Sequence, residues 1–322
     1  MRYLVTGCAG FIASQVCEQL LAQSHEVYGI DNLNDYYSVK IKNYRLDKLI
    51  ANPKFKFSKI DIENKKSIFD LLGNEHFDAI FNLAARAGVR YSMEFPEIYL
   101  STNTLGTLNL LDLCRKIGTK KFILASTSSL YAGCPMPFNE ELPVNTPISP
   151  YAATKKAAEA LCHSYHYLYG IDVSIVRYFT VYGPAGRPDM SIYRFIKWID
   201  EGKEIELFGD GLQSRDFTYV TDIARGTILA AKNVGYEIIN LGGGKNPIDL
   251  LTVIKEIEMN LNKKAKIRNE VFHKADIKET WADIEKASRL LNWKPQIGLK
   301  DGIRSTVNWW KEAPQELKAE PI

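Results

Sequence analysis

From residue 2 to about 180, short runs of apolar and β-branched residues alternate with longer segments whose apolar positions recur every three or four residues. The runs are RYLVTG, HEVYGID, FKFSKIDI, FDAIFNLA, KKFILAST and VSIVRYF, and SQVCEQLLAQ is the first helical segment. Strands that alternate with helices pair in parallel, and their crossover helices cover both faces of the sheet. The pattern therefore predicts an α/β fold, a doubly wound parallel sheet in three layers with its ligand at the carboxyl ends of the strands.

After Gly183 the rhythm changes. SIYRFIKWIDEG reads as a helix, EIELFG and DFTYV as short strands, TDIARGTILAAK as a helix and YEIINLG as a strand. This predicts a dinucleotide-binding domain over 1–183 and a smaller lobe over 184–322. The segment from about 219 to 241 repeats the helix-then-buried-strand pattern, so it is expected to return to the main sheet. No internal repeat or low-complexity tract interrupts the chain, and about the last ten residues read as a fraying tail.

At 322 residues there is material for about two domains. Hydrophobic residues at 46% and charged residues at 25% exclude a disordered chain. The 41 basic and 38 acidic residues nearly cancel and form no long block of one sign, so neither nucleic acid nor a membrane is an expected partner. Cys8, Cys17, Cys114, Cys134 and Cys162 are odd in number and lack CxxC spacing, which suggests reduced thiols. No signal-peptide pattern and no run of 18 apolar residues occurs, and a cytoplasmic location is expected.

The first strand runs into Gly7-Cys8-Ala9-Gly10-Phe11-Ile12-Ala13 and then a helix, where backbone amides can meet a pyrophosphate. Ala13 stands at the third position of the GxxGxxG pattern, which weakens the motif. Asp31 strengthens it. It ends the second strand, where a carboxylate can bond both ribose hydroxyls of an adenosine and repel a 2′-phosphate; the cofactor expected is NAD. Lys40, Lys42 and Arg45 could serve NADP, but are read as a solvated basic helix face. Asp61-Ile62 at the end of the third strand is placed either to meet the adenine or to form a turn.

A tyrosine four residues before a lysine shares its helix face, where an ammonium can stabilise a phenolate. Four such pairs occur: Tyr36/Lys40, Tyr44/Lys48, Tyr151/Lys155 and Tyr193/Lys197. Only Tyr151/Lys155 follows a strand and a hydroxyl cluster, Ser126-Thr127-Ser128-Ser129. It opens a helix with Ser149 as cap and Pro150 in the first turn, expected to run to about Tyr169. Cys162, His163 and His166 are read as neighbours on an exposed face rather than metal ligands.

With these residues in view the sequence resembles the extended short-chain dehydrogenase/reductases, and within them the NAD-dependent nucleotide-sugar 4-epimerases, especially those acting on UDP-glucuronate. The resemblance covers nearly the whole chain, through TGCAGFIA, DNLNDYY, NLAARAGVR, ASTSSLYAG, SPYAATKKAAE, RYFTVYGPAGRPDM, LFGDGLQSRDFTYVTDI and ADIKETWADIEKA. It implies Tyr151 as base and acid, Lys155 as its electrostatic partner and Thr127 as the hydroxyl that polarises O4 of the sugar. It places Asn32, Leu83, Ala84, Ala85, Asn103 and Phe179 around the NAD. It also implies a homodimer formed through the helices near 103–117 and 151–169.

On the substrate side the resemblance makes Arg215 a diphosphate ligand, Asp276 a ribose or uracil contact or a helix cap, and Arg90 a further anion ligand. Arg187 with Thr180 resembles a clamp for a sugar carboxylate, beside the hydroxyls of Ser128 and Ser129. Thr127-Ser128-Ser129 lacks the acidic residue usual in decarboxylases and dehydratases of this family. The resemblance therefore implies interconversion of UDP-glucuronate and UDP-galacturonate. UDP-glucose 4-epimerase and UDP-glucuronate decarboxylase are the alternatives, and a non-catalytic NAD-binding sensor is the reading from a different class.

Overall fold

The computed structural model describes residues 1–244, 247–271 and 278–320. The first half alternates β1 (Arg2–Thr6), α1 (Phe11–Ala22), β2 (Glu26–Asp31), α2 (Val39–Ile50), β3 (Phe55–Lys59), α3 (Lys65–Leu72) and β4 (Ala79–Asn82). A run of short helices follows, α4 (Val89–Glu94), α5 (Pro96–Tyr99) and a π-helical turn (Leu100–Leu105), leading without a break into α6 (Gly106–Ile117). Then come β5 (Lys121–Thr127), α7 (Pro150–Tyr169) and β6 (Asp172–Tyr178).

The second half holds β7 (Thr180–Tyr182), α8 (Ser191–Glu201), β8 (Glu204–Phe208), β9 (Ser214–Arg215), β10 (Phe217–Tyr219), α9 (Val220–Leu229) and β11 (Tyr236–Leu241). It ends with β12 (Ile248–Asp249), α10 (Leu250–Leu261), β13 (Lys266–Glu270), α11 (Glu285–Leu291), α12 (Leu299–Glu312) and α13 (Gln315–Lys318).

Seven parallel strands form one sheet in the order β11-β6-β5-β4-β1-β2-β3. β11 lies beside β6 with Tyr236 opposite Val173, so a strand from beyond Gly183 completes this sheet. Helices cover both faces, which is why β5 reads KFILAST and is buried throughout. Even Lys121 at its start is buried, its ammonium held 2.5 Å from Asp172. On one face Val16, Leu20, Ile223 and Trp293 pack against Val5 and Val176. On the other, Ile68, Leu110, Leu113 and Ala158 pack against Leu4, Phe122 and Ile175.

The remaining strands pair two by two: β7 with β10, β9 with β12, and β8 with β13. Around them α8, α10 and α12 enclose a separate core containing Phe195, Ile196, Ile254, Ile257, Val307 and Trp310. The carboxyl ends of β1, β2, β4, β5 and β6 all open towards this lobe, and the cleft between them holds the site.

Candidate active site

β1 passes directly into Gly7, which adopts φ +68° and donates its N–H to the Ile30 carbonyl at 2.7 Å. A Cβ there would lie 2.8 Å from Ala84 Cα and 2.9 Å from Ala84 N, so only glycine lets this turn sit against the chain leaving β4. Gly10 precedes α1 in extended conformation and leaves the first amides of the helix facing the cleft. Asp31 is buried at the end of β2, where its carboxylate accepts from Ala9 N at 3.1 Å and Leu33 N at 2.8 Å. Burial raises its pKa, and these N–H groups together with Lys42 and Arg45 pull it back down.

Asp61 accepts from the Asn32 amide at 2.7 Å and from Glu63 N at 2.9 Å, so it is both a turn former and part of the cleft wall. A cleft of about 410 Å³ runs from Asp31, Asn32, Asp61 and Ile62, past Phe11, Ile12, Leu83, Ala84, Ala85 and Phe179, to Tyr151 and Lys155. The tight glycine turn at one side, a carboxylate at the β2 end and an apolar midsection fit an NAD molecule.

Ser149 caps α7 by accepting from Ala152 N at 3.2 Å, Pro150 occupies the first turn, and the helix ends after Tyr169 at a left-handed Gly170. This fixes the face that carries Tyr151 and Lys155. Lys155 donates to the Ala125 carbonyl of β5 at 2.8 Å, and the Tyr151 phenol is hydrogen-bonded with Thr127 at the end of the same strand. Burial pulls the Lys155 ammonium down to about 8, opposed by Glu159 and then Cys162. Burial pushes the Tyr151 phenol up, opposed by Thr127 and Arg187. Thr127 Oγ1 also accepts from Ser129 N at 3.1 Å, which turns Ser128 and Ser129 into the cleft.

Arg187 and Thr180 line the same cleft. The Arg187 guanidinium is already paired within its loop, Nε to Asp189 Oδ1 at 3.0 Å and Nη2 to Asp189 Oδ2 at 2.5 Å, and lies 5.9 Å from the centre of the Tyr36 ring. Three of the expected residues, Asn103, Arg90 and Arg215, do not line this cleft. Asn103 is buried behind the wall, its Oδ1 accepting from Arg86 N at 2.9 Å and its Nδ2 donating to Arg86 O at 3.0 Å, so it shapes the loop after β4. Arg90 stacks on Phe208, 4.2 Å from the ring centre. Arg215 donates through Nη1 to the carbonyls of Ser214 and Lys278. Asp276 lies outside the described residues.

The basic face expected on α2 is not a solvated one. Lys40 is exposed and paired with Glu320, but Lys42 and Arg45 are 5% and 3% exposed. Their turn of α2 faces the loops above the cleft, so Lys42 donates to the Asn34 carbonyl at 2.5 Å and to its amide oxygen at 3.1 Å. Tyr36, Arg86 and Asp189 also line the cleft; Arg86 and Asp189 carry no signal beyond their place in NLAARAGVR and GRPDM, and Tyr36 only its place in DNLNDYY and its spacing from Lys40. The exposed-face reading of Cys162, His163 and His166 needs one change. Cys162 is buried under α7, whereas the two histidine rings lie against Tyr236. All five cysteines are free thiols, and no helix of the described residues is long and apolar enough to cross a membrane.

Comparison with known proteins agrees with this geometry. A UDP-glucuronate 4-epimerase from Thermodesulfobacterium geofontis is 57% identical over 317 residues, 98% of each chain. The solved structure of UDP-glucuronic acid 4-epimerase from Bacillus cereus in complex with UDP-glucuronic acid and NAD is 40% identical. It superposes with a TM-score of 0.88 over 97% of this chain and 99% of that one. A UDP-glucose 4-epimerase from Thermotoga maritima, solved with UDP-glucose, has the same TM-score at 29% identity, over 97% and 99% of the two chains. Residues 3–242, three-quarters of the sequence, match a single family pattern, and the chain belongs to the NAD dependent epimerase/dehydratase family.

Proposed function

We propose that this protein interconverts UDP-glucuronate and UDP-galacturonate by inverting C4 of the sugar, with NAD held throughout turnover. The observation that carries the reading is that Thr127, Tyr151, Lys155 and Arg187 line one cleft in a chain 57% identical to a UDP-glucuronate 4-epimerase. Gly7, Gly10, Phe11 and Ile12 would hold the cofactor's diphosphate, and Asp31 with Asn32 its adenosine ribose. Asp61 and Ile62 would hold the adenine, and Leu83, Ala84, Ala85 and Phe179 the remainder. When bound, NAD supplies a hydride acceptor that later returns the same hydride to the sugar.

Tyr151 takes the proton of the 4-hydroxyl, and its phenolate is stabilised by the Lys155 ammonium through space. Thr127, hydrogen-bonded with that phenol, orients O4 and polarises the resulting ketone. After the ketone turns over in the cleft, Tyr151 returns the proton to O4, so the protein ends in its starting protonation state. Ser128, Ser129, Thr180 and Arg187 line this cleft and would hold the sugar carboxylate. Holding that group keeps the C5–C6 bond out of line with the carbonyl π system, which slows loss of CO₂ from the β-keto acid. Arg90, Arg215 and Asp276 remain proposed ligands for the UDP moiety, by family resemblance.

One observation favours a neutral sugar as the alternative. Two donor atoms of Arg187 are engaged by Asp189, as they would be where no substrate carboxylate is to be gripped. Incubation with UDP-glucuronate, UDP-glucose and UDP-N-acetylglucosamine in separate reactions, followed by NMR, decides between them. UDP-galacturonate is the expected product, with deuterium placed at C4 retained there. Inversion of UDP-glucose alone, or washout of the label, overturns the assignment.

We further propose a cytoplasmic homodimer. Leu105 in the stretch 103–117, and Tyr167 and Leu168 at the end of α7, are exposed apolar side chains on the two helical stretches concerned. Sedimentation equilibrium at micromolar concentration tests this; a monomer would refute it.

A further inference from the structure

Arg45 is 3% exposed and forms no ion pair among the described residues, an unusual state for a buried guanidinium. Its charge is instead satisfied by oxygens. Nε donates to the Ala185 carbonyl at 2.9 Å, and Nη2 donates to the carbonyls of Ala185 at 2.7 Å and Gly186 at 3.0 Å. Nη1 donates to the Ala9 carbonyl at 3.1 Å and to the Tyr37 hydroxyl at 2.9 Å. One, two and two N–H groups account for all five donors of the side chain.

The acceptors belong to the two parts of the site that must stay in register. Ala9 lies inside the glycine turn at the cofactor end, and its own N–H is bonded to Asp31. Ala185 and Gly186 immediately precede Arg187. Ala185 has φ +51°, a left-handed conformation that is unfavourable for an alanine and persists only where its surroundings impose it. Arg45 grips that residue's carbonyl through two nitrogens. Asp189, two residues beyond Arg187, fixes the edge of its guanidinium, so the direction of Arg187 is set by a loop whose shape Arg45 holds.

We propose that Arg45 is a positioning residue that locks the Arg187 loop to the dinucleotide turn and thereby decides how often the ketone intermediate loses CO₂ instead of returning to a uronic acid. The proposal rests on the reading of Arg187 as the carboxylate grip. In the side reaction the C5–C6 bond breaks and CO₂ departs. The bonding pair passes to C5 and O4 as an enolate, which takes one proton at C5 to give a 4-keto pentose. The step needs no oxidant or reductant beyond the ketone already formed, so only the angle of the carboxylate suppresses it. A lysine could supply charge at position 45 but not a planar fork for carbonyls on two segments.

The experiment compares wild type, Arg45→Lys, Arg45→Met, Tyr37→Phe and Arg187→Ala with UDP-glucuronate. It measures decarboxylated and epimerised products by NMR, kcat and KM separately, bound NAD per chain and thermal stability. Arg45→Lys and Arg45→Met are expected to raise the decarboxylated share roughly tenfold or more and to raise KM, with NAD still bound. Tyr37→Phe, which removes one acceptor and keeps the rest, is expected to move the share in the same direction by less, and covers the case in which the Arg45 variants fail to fold. If rates fall but the product ratio stays at the wild-type value in both Arg45 variants and in Tyr37→Phe, the coupling is refuted. Arg187→Ala separates the two readings. An altered ratio there with none at Arg45 or Tyr37 sinks the coupling alone, whereas an unaltered ratio at Arg187 removes the carboxylate grip and the coupling with it.

Discussion

The carboxylate of Glu159 on α7 and the guanidinium of Arg177 on β6 face each other side-on in the protein interior, Nε–Oε1 2.9 Å and Nη2–Oε2 2.8 Å, and both residues are 1% exposed. Ser126 of β5 donates to the same carboxylate at 2.6 Å, and Arg177 donates to the Tyr131 hydroxyl at 2.8 Å. Glu159 is one helical turn beyond Lys155, so this network fastens α7 to the strand end that carries Thr127. Desolvation cancels much of the attraction of a buried pair, but removing one partner strands the other charge. Glu159→Leu should therefore lower the unfolding free energy by about 3–5 kcal/mol, with Glu159→Leu/Arg177→Met recovering much of the loss. Urea denaturation measures both, and equal stability of the single and double variants would show that the pair is not the source.

Tyr151→Phe removes the hydroxyl proposed to exchange a proton with O4 and keeps the ring packed edge-on against Tyr99, 6.1 Å between centres. Turnover should fall by roughly 10² or more while NAD remains bound, because general acid–base transfer contributes about that factor. Quench-flow or NMR rates together with cofactor absorbance of the purified variant check it. Undiminished turnover would assign the proton transfer to another group.

Much of the fold was legible because the strands of a doubly wound sheet are short, apolar and evenly spaced, as KKFILAST and VSIVRYF are. The small strand pairs were partly hidden: Lys266–Glu270 reads KIRNE, is mostly exposed, and shows no alternation. At the site, Asp31 and Tyr151/Lys155 line one cleft, and their place there was legible because it follows from chain position relative to a strand. Lys42 and Arg45 were misread because a basic helix turn looks the same whether it meets water or a cage of carbonyls. The acceptors at Ala9, Ala185 and Gly186 are backbone atoms, and backbone atoms leave no mark in a sequence.

Gly7→Ala tests whether the turn after β1 tolerates any side chain. The atoms that a new methyl would meet, Ala84 Cα and N and Leu83 C, are all backbone, and φ +68° is unfavourable for alanine besides. Neither strand can retreat without disturbing the central sheet. The variant should lose about 1–3 kcal/mol of stability and purify with little or no NAD. Absorbance of the released cofactor and a melting curve provide the check, and a normal NAD content would mean that the turn relaxes freely.

The pH dependence of stability should carry a mark from Asp216, the residue between β9 and β10. It is 3% exposed, and its Oδ2 accepts from Ala282 N at 2.8 Å and Gly244 N at 3.2 Å. Gly243 sits so close that a Cβ there would come within 2.0 Å of the other carboxylate oxygen. Burial pushes the carboxyl up from 3.8 to about 6, against the pull of these N–H groups. Between those two values the folded chain keeps a proton that the unfolded chain has released, so this group's stabilisation is complete below about pH 4 and is lost as pH rises through about 6. The loss amounts to about 3 kcal/mol at 1.36 kcal/mol per pKa unit. Asp112 and Asp200, whose carboxyls are lowered, carry the opposite slope, so the quantity to measure is the stability of wild type minus that of Asp216→Asn. That difference should fall from pH 4 to pH 7. A flat difference would mean that the backbone N–H groups hold this carboxylate ionised as readily as water does.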